Sequence, residues 1–176
     1  MVLNGLHATT ASNYQNICCE GFKSGTGLRG SGVYFWDDEE GLAYELSCNW
    51  YDYSLNKLKA YKDCENKEMV IILGQWDIEE NEFIDLEARE LRVEIYQTGI
   101  ALKIDMTNRS NLCGLFDAFI KRFEIEIGCQ IKVMGVGVSP LSKDYSPNYP
   151  CQVLGPPYCY IVRDAGIIRH SLYRRT

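Results

Sequence analysis

The 176-residue sequence has only two histidines, His7 and His170, and none of its eight cysteines is paired as Cys-x-x-Cys. That leaves a zinc site without the ligand spacing such sites use, and no metal centre is expected. No apolar run approaches the length needed to cross a bilayer. The N-terminal Met-Val-Leu-Asn-Gly-Leu lacks the basic region and long apolar stretch of a secretory signal. Without such a signal the cysteines read as reduced thiols of a cytoplasmic protein, and most sit in apolar surroundings where a free thiol behaves as a small hydrophobe. Basic residues are also scarce: 18 Lys and Arg face 24 Asp and Glu, for a net charge of −6. Only the tail is locally basic, at Arg169, Arg174 and Arg175. A domain that grips nucleic acid through its phosphates carries a basic surface, so a nucleic-acid partner is not favoured.

What is present is an ordinary globular mixture, 46% apolar and 24% charged. The length fits one domain, residues 1–176, with a full core. Residues 2–9 read as a first strand that ends at His7-Ala8-Thr9-Thr10. Thr10 or Ser12 then caps a helix running to about Cys19, and Gly21 stops it. Residues 23–32 hold four glycines in ten and read as a flexible loop. Val33-Tyr34-Phe35-Trp36 is β-branched and aromatic, hence a strand. Asp37, Asp38, Glu39 and Glu40 crowd a helix N-terminus, where negative charge is favoured, and that helix continues through Leu42, Ala43 and Leu46.

Further on, residues 50–67 read as a surface segment of undefined structure, and Met69–Trp76 as a buried central strand. Phe83–Leu86 reads as a short strand, and residues 87–97 and 110–123 as helices. The second helix places Leu112, Leu115, Phe116, Phe119 and Ile120 on one face. Val133–Val138 and Tyr158–Val162 are further strands, with a loop rich in Pro, Ser and Tyr over 140–157. The mixed order of strands and helices makes the class α+β.

Taken singly, His7 and the glycine loop are weak signals. No Gly-Lys-Ser/Thr follows the loop, which excludes a Walker motif, and a strand instead of a helix comes next, which excludes a Rossmann fingerprint. Their order is more informative. His7 ends the first strand; a helix, the glycine loop and Gly32-Val33-Tyr34-Phe35-Trp36-Asp37 follow; Ala43-Tyr44 comes on the next helix; Cys159-Tyr160-Ile161-Val162-Arg163-Asp164 lies near the C-terminus. This series resembles the catalytic domain of poly(ADP-ribose) polymerases and their mono-ADP-ribosylating relatives. That family carries His-Gly-Thr, then Gly-x-Gly-Ile/Val-Tyr-Phe-Ala-Asp, then an Ala-x-Tyr-like element, and ends in Glu-Tyr-Ile-Val-Tyr-Asp. The likeness covers both ends of the chain and leaves the middle unmatched.

The resemblance implies an ADP-ribosyltransferase fold: two packed, mostly antiparallel sheets with flanking helices around a cleft for NAD, which is the substrate. Tyr34 would stack on the nicotinamide ring, a cation–π arrangement, and Tyr44 would close the other face. The backbone N–H and C=O of Ala8, where the family has glycine, would take the carboxamide. His7 would bond an adenosine-ribose hydroxyl, Thr9 would support the turn, Arg29 would pair with the pyrophosphate, and Gly32 would line the site. The family's third signature residue is a glutamate that bonds the nicotinamide ribose, and Cys159 stands there. A protonated thiol is a weak donor and does not act as a carboxylate does. Asp37, Asp38, Asp164 or Gln152 are the candidates to replace it, and Ile167 stands where the family tends to have glutamine. A reactive Cys159 would need a nearby base or cation, so a buried, inert thiol is expected.

Three functions stay open on these residues. One is a mono-ADP-ribosyltransferase that cleaves the nicotinamide–ribose bond and passes ADP-ribose to a macromolecule, with protein as the expected acceptor. The second is an NAD-binding module without turnover. The third is an NAD glycohydrolase acting as a toxin or defence effector.

Overall fold

The computed structural model describes residues 1–38, 41–139 and 155–175. Among these residues eight strands and four α-helices follow one another as β1 (Val2–Thr10), α1 (Ala11–Glu20), β2 (Gly25–Gly27), β3 (Gly30–Asp37), α2 (Ala43–Asn56), β4 (Met69–Asp77), β5 (Phe83–Asp85), α3 (Arg89–Ala101), α4 (Arg109–Ile127), β6 (Val133–Gly137), β7 (Tyr158–Val162) and β8 (Arg169–Leu172). The class is α+β, and the sheet is mostly antiparallel.

The strands form one hydrogen-bonded sheet, ordered β5-β6-β7-β3-β1-β4-β8, with β2 paired to β3. Only β5 and β6 run parallel, and the α3–α4 pair makes their crossover. Two separate sheets were expected; the single sheet instead packs against itself. Trp76 on β4 and Tyr160 on β7 are three strands apart in the order, which would separate them by about 14 Å in a flat sheet. Their ring centroids lie 5.6 Å apart, and Phe35 on β3 lies 5.1 Å from Trp76. The sheet therefore bends sharply between the two halves, and Val33, Phe35, Trp76, Val133, Tyr160 and Val162 fill the space inside the bend. α3 and α4 cover the outer face of the β5-β6-β7-β3 half through Ile95, Leu115, Phe116, Phe119 and Ile120. α2 packs Ala43 and Tyr51 against Leu6, Ala8 and Ile71 of the other half.

Local chemistry explains the helix ends. The Thr10 hydroxyl accepts the Asn13 N–H at 3.1 Å and starts α1, while Gly21 at φ 79 ends it. Asn108 caps α4 by accepting from the N–H groups of Ser110 and Asn111, and Gly128 in the left-handed region closes it.

Several elements differ from the sequence-based expectation. The glycine-rich 23–32 stretch is no free loop: Gly25–Gly27 and Gly30–Gly32 pair as a tight hairpin. Asp37 belongs to β3 and not to a helix start, and α2 begins only at Ala43. Glu39 and Glu40 lie outside the described residues. α2 then runs to Asn56, into the segment read as undefined, because Ala43, Leu46, Ser47, Tyr51 and Ser54 recur at helical spacing and are buried. The basic tail contains an unforeseen edge strand, β8, which pairs with β4 and so makes β4 internal. Most of the expected loop, residues 140–154, lies outside the described residues.

Candidate functional site

The site arises where β1 and β3 part. β1 pairs with β4 along its whole length, from Val2–Asp77 to Thr10–Met69. Its pairing with β3 covers only Gly5–Asp37 and Leu6–Trp36. Beyond Leu6 the two strands diverge, and a cavity of about 640 Å³ opens between them.

The backbone at that opening has a fixed direction. The Tyr173 N–H, just past β8, donates to the Ile71 carbonyl at 2.9 Å, so the Ile71 backbone faces β8. Opposed residues of an antiparallel ladder either exchange hydrogen bonds or both face outward. Ala8 is opposite Ile71, so its N–H and C=O point away from β4, toward the edge that β3 has left. Among the described residues neither group has a strand partner. The result is a donor and an acceptor on one residue at the cavity wall, a pair complementary to the acceptor and donor of a primary carboxamide.

The same opening places His7 and Tyr34. The His7 Nδ1–H donates to the Tyr34 carbonyl at 2.9 Å. That bond selects the tautomer and leaves Nε2 as an acceptor, suited to a hydroxyl donor. Burial lowers the His7 pKa, and the hydrogen bond to the Tyr34 carbonyl only partly opposes it. The imidazole ring also packs against Phe22 and Phe35, with centroids 5.8 and 5.6 Å away. Tyr34 lies under the β2–β3 hairpin. Its hydroxyl donates to the Gly30 carbonyl at 2.8 Å and accepts the Arg29 N–H at 3.4 Å. Burial holds its pKa well above the usual phenol range, so it stays neutral.

Seven of the eight residues expected at the site line this one cavity: His7, Ala8, Thr9, Arg29, Gly32, Tyr34 and Cys159. The exception is Tyr44. It does not line the cavity; its ring packs 6.0 Å from Tyr173, with the Arg175 guanidinium 4.7 Å over it. One helical turn and a half further on, Trp50 reaches the cavity from α2 instead, and Trp36 reaches it from β3. Trp36 could have been found, since a strand's period of two puts it on the Tyr34 face. Trp50 was missed because α2 was cut short.

Cys159 is 2% exposed, and burial pushes its thiol far above the ordinary range, with the field of Asp37 acting in the same direction. Both effects favour the neutral thiol over the thiolate that a nucleophile needs. Of the proposed replacements among the described residues none lines the cavity: Asp37 and Asp38 do not, and Asp164 caps a 3-10 turn by accepting the Gly166 N–H. Gln152 lies outside the described residues. The charged side chains on the cavity wall, among the described residues, are Lys23, Arg29 and Arg109, all basic, within a chain of net charge −6. Nothing in the sequence of Arg109 marked it, because it lies 74 residues beyond the motif strand's Phe35 and joins the site only through the fold.

No family model matches this chain, and neither the curated proteins nor the solved structures gave a significant match. Among the described residues no helix is long and apolar enough to cross a membrane.

Proposed function

We propose that this chain is an NAD-dependent ADP-ribosyltransferase, with an ADP-ribosyltransferase fold, that transfers a single ADP-ribose unit to a protein acceptor. The observation that carries the reading is the unpaired Ala8 backbone facing a cavity with aromatic Tyr34, Trp36 and Trp50 and with three cations and no carboxylate among its described lining residues. Each feature answers one part of NAD. The donor–acceptor pair of Ala8 suits the nicotinamide carboxamide. An aromatic face suits the pyridinium ring. Lys23, Arg29 and Arg109 suit the pyrophosphate, and His7 Nε2 suits a ribose hydroxyl.

In the reaction the bond between the ribose C1′ and the nicotinamide nitrogen breaks, and nicotinamide leaves with the electron pair. The acceptor's heteroatom forms the new bond to C1′ and gives up its proton to solvent. The oxocarbenium-like state between these events needs positioning and electrostatic support more than covalent help. Cys159 supplies neither charge nor a strong hydrogen bond, which supports single transfer over chain elongation.

The test is incubation with NAD labelled in the adenylate half together with a cell lysate, alongside the Tyr34→Ala variant. Label on protein with the parent chain and none with Tyr34→Ala is the expected result. Absence of label transfer by the parent overturns the transferase reading. The neutral, buried Cys159 favours a second reading, an NAD-binding module without turnover. Calorimetry separates the two: tight NAD binding with no nicotinamide released supports the module. Free ADP-ribose as sole product would instead point to a glycohydrolase.

A further inference from the structure

The geometry points to Asp117, on α4, as the positioning residue that holds the β2–β3 hairpin over the cavity and thereby sets Arg29 and Tyr34 for the ligand. The claim about the ligand rests on the NAD reading above; the claim about the hairpin does not.

The hairpin is weak on its own. β2 has three residues, two of them glycine, and the two-residue connection Leu28-Arg29 leads into Gly30. An isolated two-stranded ribbon this short has little stability in water, yet it carries Arg29 and roofs the Tyr34 ring. Its conformation must therefore be held by something outside it.

α4 supplies that hold. The half-buried Asp117 carboxylate accepts the Ser31 N–H at 2.8 Å through Oδ1 and the Ser31 hydroxyl at 2.7 Å through Oδ2. Both are charge-assisted bonds, the stronger kind. Cys113, one turn earlier, places its sulfur 3.7 Å from the Ser31 hydroxyl. Phe116, beside Asp117, takes the Arg29 guanidinium over its ring at 5.4 Å. Arg109, Cys113, Phe116 and Asp117 recur at helical spacing, so one face of α4 holds the turn and also contributes a cation to the cavity wall.

The link to the site runs through Gly30, which stands between Arg29 and Ser31. Its carbonyl takes the Tyr34 hydroxyl, and its φ of 112 is one that glycine adopts freely. A Cβ at Gly30 would lie 2.9 Å from Asp117 Oδ1, so the carboxylate and this residue are fitted to each other. Releasing Ser31 frees the Gly30 carbonyl, and with it the Tyr34 hydroxyl and the backbone of Arg29. Sequence motifs did not reveal Asp117, which lies in the middle of the chain where the family likeness has no counterpart.

The experiment compares the parent with Asp117→Ala, Asp117→Asn and, as a control on an exposed position of the same helix, Lys121→Ala. Asparagine keeps a carbonyl oxygen for the Ser31 N–H and an NH2 that the Ser31 hydroxyl can accept, so it should rescue. The first readout is hydrogen exchange of the Ser31 amide without ligand. Asp117→Ala should speed it at least tenfold, while Asp117→Asn and Lys121→Ala stay within threefold of the parent. An unchanged Ser31 exchange rate in Asp117→Ala overturns the hold itself. The second readout is NAD affinity by calorimetry. A loss of at least tenfold in Asp117→Ala, restored in Asp117→Asn, is expected, whereas a purely structural role would lower the melting temperature without this pattern. Faster exchange with NAD affinity kept within twofold overturns the positioning role. Failure of the parent to bind NAD sinks the nucleotide reading alone, and the exchange measurement still decides whether Asp117 holds the hairpin.

Discussion

Replacing Gly27 by alanine should destabilise the chain by about 2–4 kcal/mol and damage the cavity with it. The Gly27 backbone needs no unusual torsion, so the effect comes from space alone. A Cβ built there would sit 2.7 Å from Tyr34 Cε2, with Cζ and the hydroxyl oxygen closer still. Carbon atoms do not approach to that distance, so the ring or the strand must move by about an ångström or more. Overpacking of this kind costs about 1–3 kcal/mol. A displaced ring also gives up the Tyr34 hydroxyl bond to the Gly30 carbonyl, worth about 1 kcal/mol net. Urea unfolding followed by tryptophan fluorescence measures the sum, and Trp36, on the cavity wall, reports locally. A double-mutant cycle isolates the cause. In a Tyr34→Ala background the same Gly27→Ala change should have almost no effect, because the ring is gone. Gly27→Ala with stability within 0.5 kcal/mol of the parent, or an equal loss in both backgrounds, would refute the packing argument.

Three other outcomes follow from the site. Burial lowers the folded-state pKa of His7 from 6.5, so the unfolded chain takes up a proton first as the pH falls. Stability carried by His7 is present above pH 6.5 and falls as the pH drops below it, by at most about 1.4 kcal/mol per pH unit, until the folded-state pKa is passed; urea midpoints between pH 7.5 and 5.5 should show that slope, and His7→Asn should flatten it. Iodoacetamide at pH 8 should label the exposed Cys18 and Cys19 and spare Cys159 in the native chain, as mapped by peptide mass spectrometry; rapid native labelling of Cys159 would contradict its burial and raised pKa. Ala8→Pro should weaken NAD binding at least tenfold while removing no β1–β4 ladder bond, since the Ala8 N–H faces the cavity; loss of folding with intact NAD affinity in the remaining native fraction would show that the N–H belongs to the sheet.

The legibility of this chain divides along a physical line. Local signals were readable: the Thr10 cap, the β-branched and aromatic run Val33–Trp36, and the helical stripe Leu115-Phe116-Phe119-Ile120 all appear where residue type and spacing place them. The residue set His7, Ala8, Arg29, Tyr34 and Cys159 was readable too, through motif order, and the fold brings it to one cavity. What was not readable depends on partners distant in sequence. The glycine hairpin looks like a loop because glycines carry no strand propensity, and it is a ribbon because α4 holds it 86 residues away, through Ser31 and Asp117. β8 looks like a charged tail because its burial is slight; it forms because β4 has an edge to fill. Tyr44 was assigned from an Ala-Tyr pair, yet helix phase turns it toward Tyr173 and brings Trp50 to the cavity.

The strand divergence at Leu6–Trp36 ties these pieces together. Had β3 stayed paired to β1, its backbone would have taken the Ala8 N–H and C=O, and no cavity would exist between the strands. The divergence is stabilised from both sides. On one side β3 keeps its ladder to β7 from Val33 to Trp36, and Phe35 is buried in the bend with Tyr160 and Val162 of β7 as well as Trp76 of β4. His7 bridges the gap with a side chain, donating to the Tyr34 carbonyl, where a ladder bond would otherwise lie. His7 thus does two things at once: it satisfies a backbone acceptor that the missing strand pairing would leave open, and it lines the cavity with a ring whose other nitrogen is left as an acceptor. A ligand that binds there completes a sheet edge on one side, at Ala8, and meets aromatic rings and cations on the other. If NAD is the ligand, as proposed, its site is built into the sheet itself, and turnover would rest on positioning more than on the buried Cys159 thiol.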